Sequence, residues 1–147
     1  NERCRRVNRD HCSKTKDTCI LISVHVTAGP EGNKSIQVAA DRHGWWKTSN
    51  GWQVCVGKTA SESSKRLANC MTDAAREKGV KVRVPMPTQK YWVQGLGICQ
   101  GTTCPAVLVE NFFMDNKEDY AFLLSKDGKM ACARIMAQGV RKYILGK

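Results

Sequence analysis

No run of 18 or more apolar residues occurs in the chain, and its opening, Asn1-Glu2-Arg3-Cys4-Arg5-Arg6, carries no secretory signal. A transmembrane segment is therefore not expected, and no signal peptide is visible. Acidic residues are in the minority, 13 against 24 Lys and Arg, for a formal charge of +11. Such a field draws a protein toward polyanions in general. The basic residues nevertheless form no single stripe interleaved with aromatics, so the charge reads as a solvated basic surface and no specific nucleic-acid partner is expected. The chain also lacks any Cys-x-x-Cys, which leaves a zinc knuckle or a thioredoxin-like redox motif unsupported despite eight cysteines. Cys19, Cys55, Cys70 and Cys132 each fall on the apolar face of an expected strand or helix, where a reduced thiol acts as a small hydrophobe. Internal repeats and low-complexity segments are absent too.

What is present suits one ordinary domain: 147 residues, 41% of them hydrophobic. Residues 2 to 12 are polar, with Cys4 and Val7 three apart, and suggest a short surface helix. Cys19 to Val26 is a nearly continuous β-branched run that reads as a buried strand of a parallel or mixed sheet. A long polar loop from Gly29 to Asn50 follows, and Gly51 to Val56 alternates as a second strand. Thr59 and Glu62 have capping-box spacing, and Leu67, Cys70, Met71 and Ala74 repeat at helical intervals, so a helix is expected from about 60 to 78, closed by Gly79. Val80 to Val84 suggests an edge strand ended by Pro85, Leu96 to Cys99 another strand, and Ala106 to Val109 a short, fully apolar one. Asp115 to Glu118 offers a second capping box for a helix through Leu124. Met130, Ala133, Ala137, Val140 and Ile144 mark a last amphipathic helix. Strands alternating with helices make an α/β domain.

Two residues stand out chemically. Glu110 follows an apolar strand and should emerge at its C-terminal end, where open α/β sheets place their sites. An unpaired carboxylate between apolar neighbours is costly and calls for a cation or metal. His25 lies near the end of the other apolar strand. Trp45, Trp46 and Trp52 flank the polar loop, where indoles stack on sugar rings or pack locally. Asn111 is placed to orient a substrate or to cap the strand end. Tyr91 and Trp92 read as packing residues.

At these residues the chain resembles a known family. Ile22-Ser-Val-His-Val-Thr-Ala28 is similar to the "S-I-H-x-N-A" strand of the zinc-dependent N-acetylmuramoyl-L-alanine amidases, and Pro105-Ala-Val-Leu-Val-Glu-Asn-Phe-Phe-Met-Asp-Asn-Lys-Glu-Asp119 resembles their "PAVLVE-GF-SN-xD" segment. Gly51-Trp52, the helix from Ser61 to Ala68 and the terminal helix follow the same pattern, so the resemblance covers nearly the whole chain. It implies a single three-layer α/β domain, with a central, mostly parallel sheet flanked by helices. It further implies a peptidoglycan hydrolase that cleaves the amide between N-acetylmuramic acid and L-alanine by zinc-activated water. His25 then becomes a zinc ligand, Glu110 the general base, and Asn111, Trp45 and Trp52 substrate contacts. Action on the cell wall follows, in the periplasm, outside the cell, or as a phage lysin made in the cytoplasm.

The pattern departs from the family in one place. Its "D-x-G-H-G" strand and the following helix with a ligand Glu have no counterpart in residues 1 to 24, and neither His11 nor His43 fits the role. The resemblance thus implies a domain over 1–147 that lacks the family's N-terminal strand and helix, with apolar sheet edge exposed in consequence. The missing ligands are expected from a preceding segment or a partner chain. The alternative is a non-catalytic fragment or degenerate amidase fold that binds muropeptides or a protein.

Overall fold

The computed structural model describes residues 1–12, 19–29, 36–37 and 45–146, with only the backbone described at 36, 37 and 45. In chain order these form α1 (Glu2–Val7), a π-helical turn (Asn8–Cys12), β1 (Leu21–Thr27), β2 (Ile36–Gln37), β3 (Trp45–Trp46) and β4 (Gln53–Gly57). Then come α2 (Glu62–Glu77), β5 (Trp92–Gln94), α3 (Gly97–Gln100), β6 (Ala106–Phe113), α4 (Lys117–Leu124) and α5 (Lys126–Leu145).

The main sheet has the order β1-β6-β4-β5, with β1 and β6 parallel, β6 and β4 antiparallel, and β4 and β5 parallel. β2 and β3 pair as a separate antiparallel ribbon within the expected loop. Successive strand residues point to opposite faces, which sorts the sheet into two surfaces. Val54, Val56, Val107 and Val109 bury one face against Leu67 and Met71 of α2 and Ile135 of α5. Cys55, Leu108 and Glu110 alternate with them and face the other way, where α3 packs against the sheet. Helices thus cover both faces, the three-layer α/β arrangement.

The helices begin where side chains satisfy free backbone N–H groups. Ser61 Oγ accepts from Ser64 N at 3.2 Å to open α2, two residues after the expected Thr59 cap. Asn116 Oδ1 accepts from Glu118 N and Asp119 N to open α4, and Ser125 Oγ accepts from Gly128 N to open α5. α2 and α5 approach closely at Gly139, where a Cβ would lie 2.4 Å from Met71 Sδ and 3.0 Å from Met71 Cα, so a larger residue would force Met71 or the crossing to shift.

Several expectations are corrected. Leu96 to Cys99 is not a strand; Gly97–Gln100 is the short helix α3, and the strand lies earlier, at Trp92–Gln94. Val80 to Val84 contributes only an isolated bridge, Val82 to Trp52. β1 is not buried on both sides: it has one neighbouring strand among the described residues, and Val24 and Val26 are 58% and 39% exposed. β6 runs to Phe113, so Glu110 lies inside the strand and not after it.

Candidate functional site

Three strands place a polar row on the face that carries α3. In the parallel β1–β6 ladder His25 is the partner of Glu110, and in the antiparallel β6–β4 ladder Glu110 is the partner of Gln53. Paired residues share a face of the sheet. His25, Glu110 and Gln53 therefore stand side by side across β1, β6 and β4. Gln53 was not foreseen in this role, because strand order is what brings it beside Glu110.

Burial in this row is uneven. The His25 side chain is on the exposed edge strand, with Nε2 2.9 Å from Ser23 Oγ on the same face. Glu110 is half-buried, and its Oε2 is enclosed without a hydrogen-bond partner among the described residues. Burial pushes its carboxyl above the usual carboxylate range, while the charge of His25 pulls it partly back. Cys55, on the same face of β4, is pushed up to about 12, first by burial and then by the charges of Glu110 and Cys99. Cys55 is thus held as a thiol and offers no nucleophile. The arrangement supplies a carboxylate with a free, water-poor oxygen beside an accessible imidazole, which is the equipment of acid–base chemistry.

A bulge aims Glu110. The register passes from His25–Glu110 to Thr27–Phe113, so β6 has two residues, Asn111 and Phe112, opposite Val26 alone. Phe112 sits at φ 66°, a left-handed conformation that costs a non-glycine residue about 1–3 kcal/mol. Its ring packs in the core, 5.2 Å from Phe122 in an edge-on contact. Beyond the bulge, Asp119 Oδ2 accepts from Phe113 N and Gly51 N and ties β6 to the approach to β4. Asp115 accepts from Gly29 N and pairs with Lys47 at 3.1 Å, fixing the chain just after β1.

The expected substrate contacts fare differently. Trp52 is 0% exposed, and its Nε1 donates to Asn111 Oδ1 at 3.1 Å, so it is a core residue with no face for a sugar. Asn111 is buried as well, and its Nδ2 donates to the carbonyl of His25 at 3.2 Å. Both substrate assignments are corrected: the pair is a strut that locks the bulge of β6 to β4 and β1. The side chain of Trp45, like His43, lies outside the described residues. Trp46 is half-buried against Tyr120, with ring centroids 5.4 Å apart.

Zinc used in hydrolysis takes three protein ligands and one open position. Glu110 Oε2, orphaned and buried, has the chemistry that a cation would satisfy, and His25 supplies one nitrogen. Among the described residues no third donor converges on them, so these side chains alone do not fit a hydrolytic zinc.

The three donors that do converge lie elsewhere and were missed in the sequence. Cys12, Cys19 and Cys104 bring their sulfurs within 4.8 Å of one another. Spacings of seven and 85 residues give no local motif, and the first signal of the cluster is the fold itself. Burial pushes the Cys104 thiol up. Burial acts the same way on Cys12, but hydrogen bonds with Cys104, Cys19 and Thr103 hold it below the usual thiol range.

Comparisons with known proteins bear on the family and the fold. A family model described as N-acetylmuramoyl-L-alanine amidase matches residues 2–142. Among solved structures, the chain is similar to the N-acetylmuramyl-L-alanine amidase Ami1 of Mycobacterium abscessus, with a TM-score of 0.69 and 21% identity over 92% of this chain and 59% of that one. Ami1 of Mycobacterium smegmatis gives a TM-score of 0.71 at 18% identity, covering 95% and 60%. The catalytic domain of CwlV from Bacillus (Paenibacillus) polymyxa gives 0.66 at 21%, covering 94% and 64%. These likenesses show the fold, and the chain spans 59–64% of the length of those structures. No match was found among curated proteins.

Proposed function

The chain belongs to the N-acetylmuramoyl-L-alanine amidase family, and from that premise we propose that it hydrolyses the amide joining the lactyl group of N-acetylmuramic acid to the L-alanine of peptidoglycan. One observation supports this above the rest. Glu110 holds a buried carboxylate oxygen with no partner among the described residues, in register with His25, on strands that the family resemblance assigns to catalysis. A carboxylate raised toward neutrality takes a proton from an attacking water as its oxygen adds to the amide carbon. It then returns that proton to the departing nitrogen as the C–N bond breaks. His25 stands next to this proton traffic on the open edge of the sheet.

Zinc belongs to the proposal through the family, with His25 as one ligand and the others drawn from outside the described residues. The substrate is peptidoglycan or a muropeptide, and the place of action the cell wall, whether reached by a bacterial enzyme or a phage lysin. No helix among the described residues is long and apolar enough to cross a membrane.

A second reading, a fold that binds muropeptides or a protein without cleaving, is favoured by one feature: among the described residues a single imidazole stands beside Glu110 and no third donor converges on the pair. Incubation with purified muropeptides separates the two. Cleavage that exposes a new L-alanine amine, lost after chelation, restored by zinc and reduced about 10²–10⁴-fold in Glu110→Ala, supports the amidase. Cleavage undiminished in that variant would overturn the base assignment. Binding without cleavage would favour the second reading.

A further inference from the structure

We propose that Cys12, Cys19 and Cys104 form a binding site for a thiophilic metal ion of the zinc class, separate from the His25–Glu110 row. The three come from different parts of the chain: the π-helical turn, the residues leading into β1, and the residue two before β6. Their sulfurs all lie within 4.8 Å of one another, and those of Cys12 and Cys19 are 3.3 Å apart. Thiolates bound at about 2.3 Å to one tetrahedral ion stand roughly 3.8 Å apart. The Cys12–Cys19 separation of 3.3 Å is a little shorter than that value and the other two do not exceed 4.8 Å, so the ion needs only small side-chain adjustments to enter. Soft thiolates select zinc and copper(I) over hard cations such as magnesium and calcium.

The surroundings hold the donors in place. Asn8, one turn before Cys12, donates from Nδ2 to the carbonyl of Gly101 at 2.9 Å and accepts from Thr103 N at 2.9 Å. That clasp fixes the turn against the residues just before Cys104. Leu21 N donates to the carbonyl of Pro105 at 2.9 Å, which joins the chain just after Cys19 to the residue just after Cys104. Cys12 and Cys104 are buried and Cys19 is half-buried, leaving one open side for a water or other fourth ligand. On binding, each thiol releases its proton to solvent and the sulfur lone pair becomes the metal bond. A bound ion would pin the N-terminal helical segment to the sheet.

Cobalt(II) titration of the full chain, reduced and stripped of metal, tests the site. One equivalent should bind with a thiolate-to-cobalt charge-transfer band, and zinc should displace it. In Cys19→Ser, and separately in Cys104→Ser, the band should fall and zinc affinity drop by more than the roughly 10–100-fold that loss of an outer-shell partner costs. Cys19 is half-buried, so its variant is the one expected to fold without difficulty, as far-ultraviolet circular dichroism would check. His25→Ala and Glu110→Gln should leave the band unchanged, whatever becomes of amidase activity. No uptake by the reduced protein overturns the proposal, as does a band that persists in both serine variants. A Cys12–Cys19 disulfide in the isolated protein, with no metal uptake after its reduction, overturns it also.

Discussion

At Glu110 the carboxylate has one buried oxygen that nothing among the described residues satisfies, and the cost of that falls on the charged form. Its folded pKa is raised, so the stability it contributes is full below the usual value of 4.5 and is lost as pH rises through the folded value. Glu110→Gln removes the charge and keeps the shape. The variant should be more stable than the parent at pH 7, by about 1 kcal/mol, the low end for an unsatisfied buried group because the residue is half-exposed. The two should converge near pH 4. Urea titrations at both values measure it, and a gap that widens toward acid would contradict the sign. Glu110 was legible in the sequence because a carboxylate inside an apolar run has few innocent explanations. Trp52 and Asn111 were not, since neither their burial nor the bond between them can be read from residue types. Their 3.1 Å contact spans 59 residues of chain.

Local pattern carried the helices further than the strands. α2 and α5 announce themselves by apolar residues at helical spacing, and both appear within a few residues of the expected bounds. Cap choice was less legible. Thr59-x-x-Glu62 and Ser61-x-x-Ser64 overlap, and the structure uses the second, because Ser64 Oγ also accepts from Ala106 N at 3.0 Å and so docks the helix start on β6. Ser61→Ala should therefore destabilise the protein by about 1–2 kcal/mol, the upper range for a cap. The denaturant midpoint should fall with no change in slope, while Thr59→Ala should leave it in place. The reverse result would restore the Thr59 cap. Short apolar runs fared worst. Leu96 to Cys99 is too brief for its period to separate strand from helix, and tertiary contact decides: Cys4 Sγ donates to the carbonyl of Gly97, seating α3 against α1.

The whole molecule combines a strongly basic surface with an incompletely covered sheet edge. Strand order, which puts β6 between β1 and β4, is a property of long-range pairing, and local pattern says nothing of it; the polar row across three strands was hidden for the same reason. Among the described residues that order leaves β1 without a second strand partner, beside Val24 at 58% and Val26 at 39% exposure. An open strand with exposed β-branched residues is a template for another strand. The formal charge of +11 opposes such pairing between copies. Salt decides between the two effects, because repulsion between exposed charges fades beyond a screening length of about 10 Å at 0.1 M, whereas apolar contact does not. Self-association should therefore rise with salt. Val24→Lys puts a charge on the open flank without removing a core contact, so stability should change by no more than about 0.5 kcal/mol. Light scattering during a salt titration should show markedly less association in the variant than in the parent. Equal scattering in the two would mean that the edge of β1 is not the surface through which copies meet.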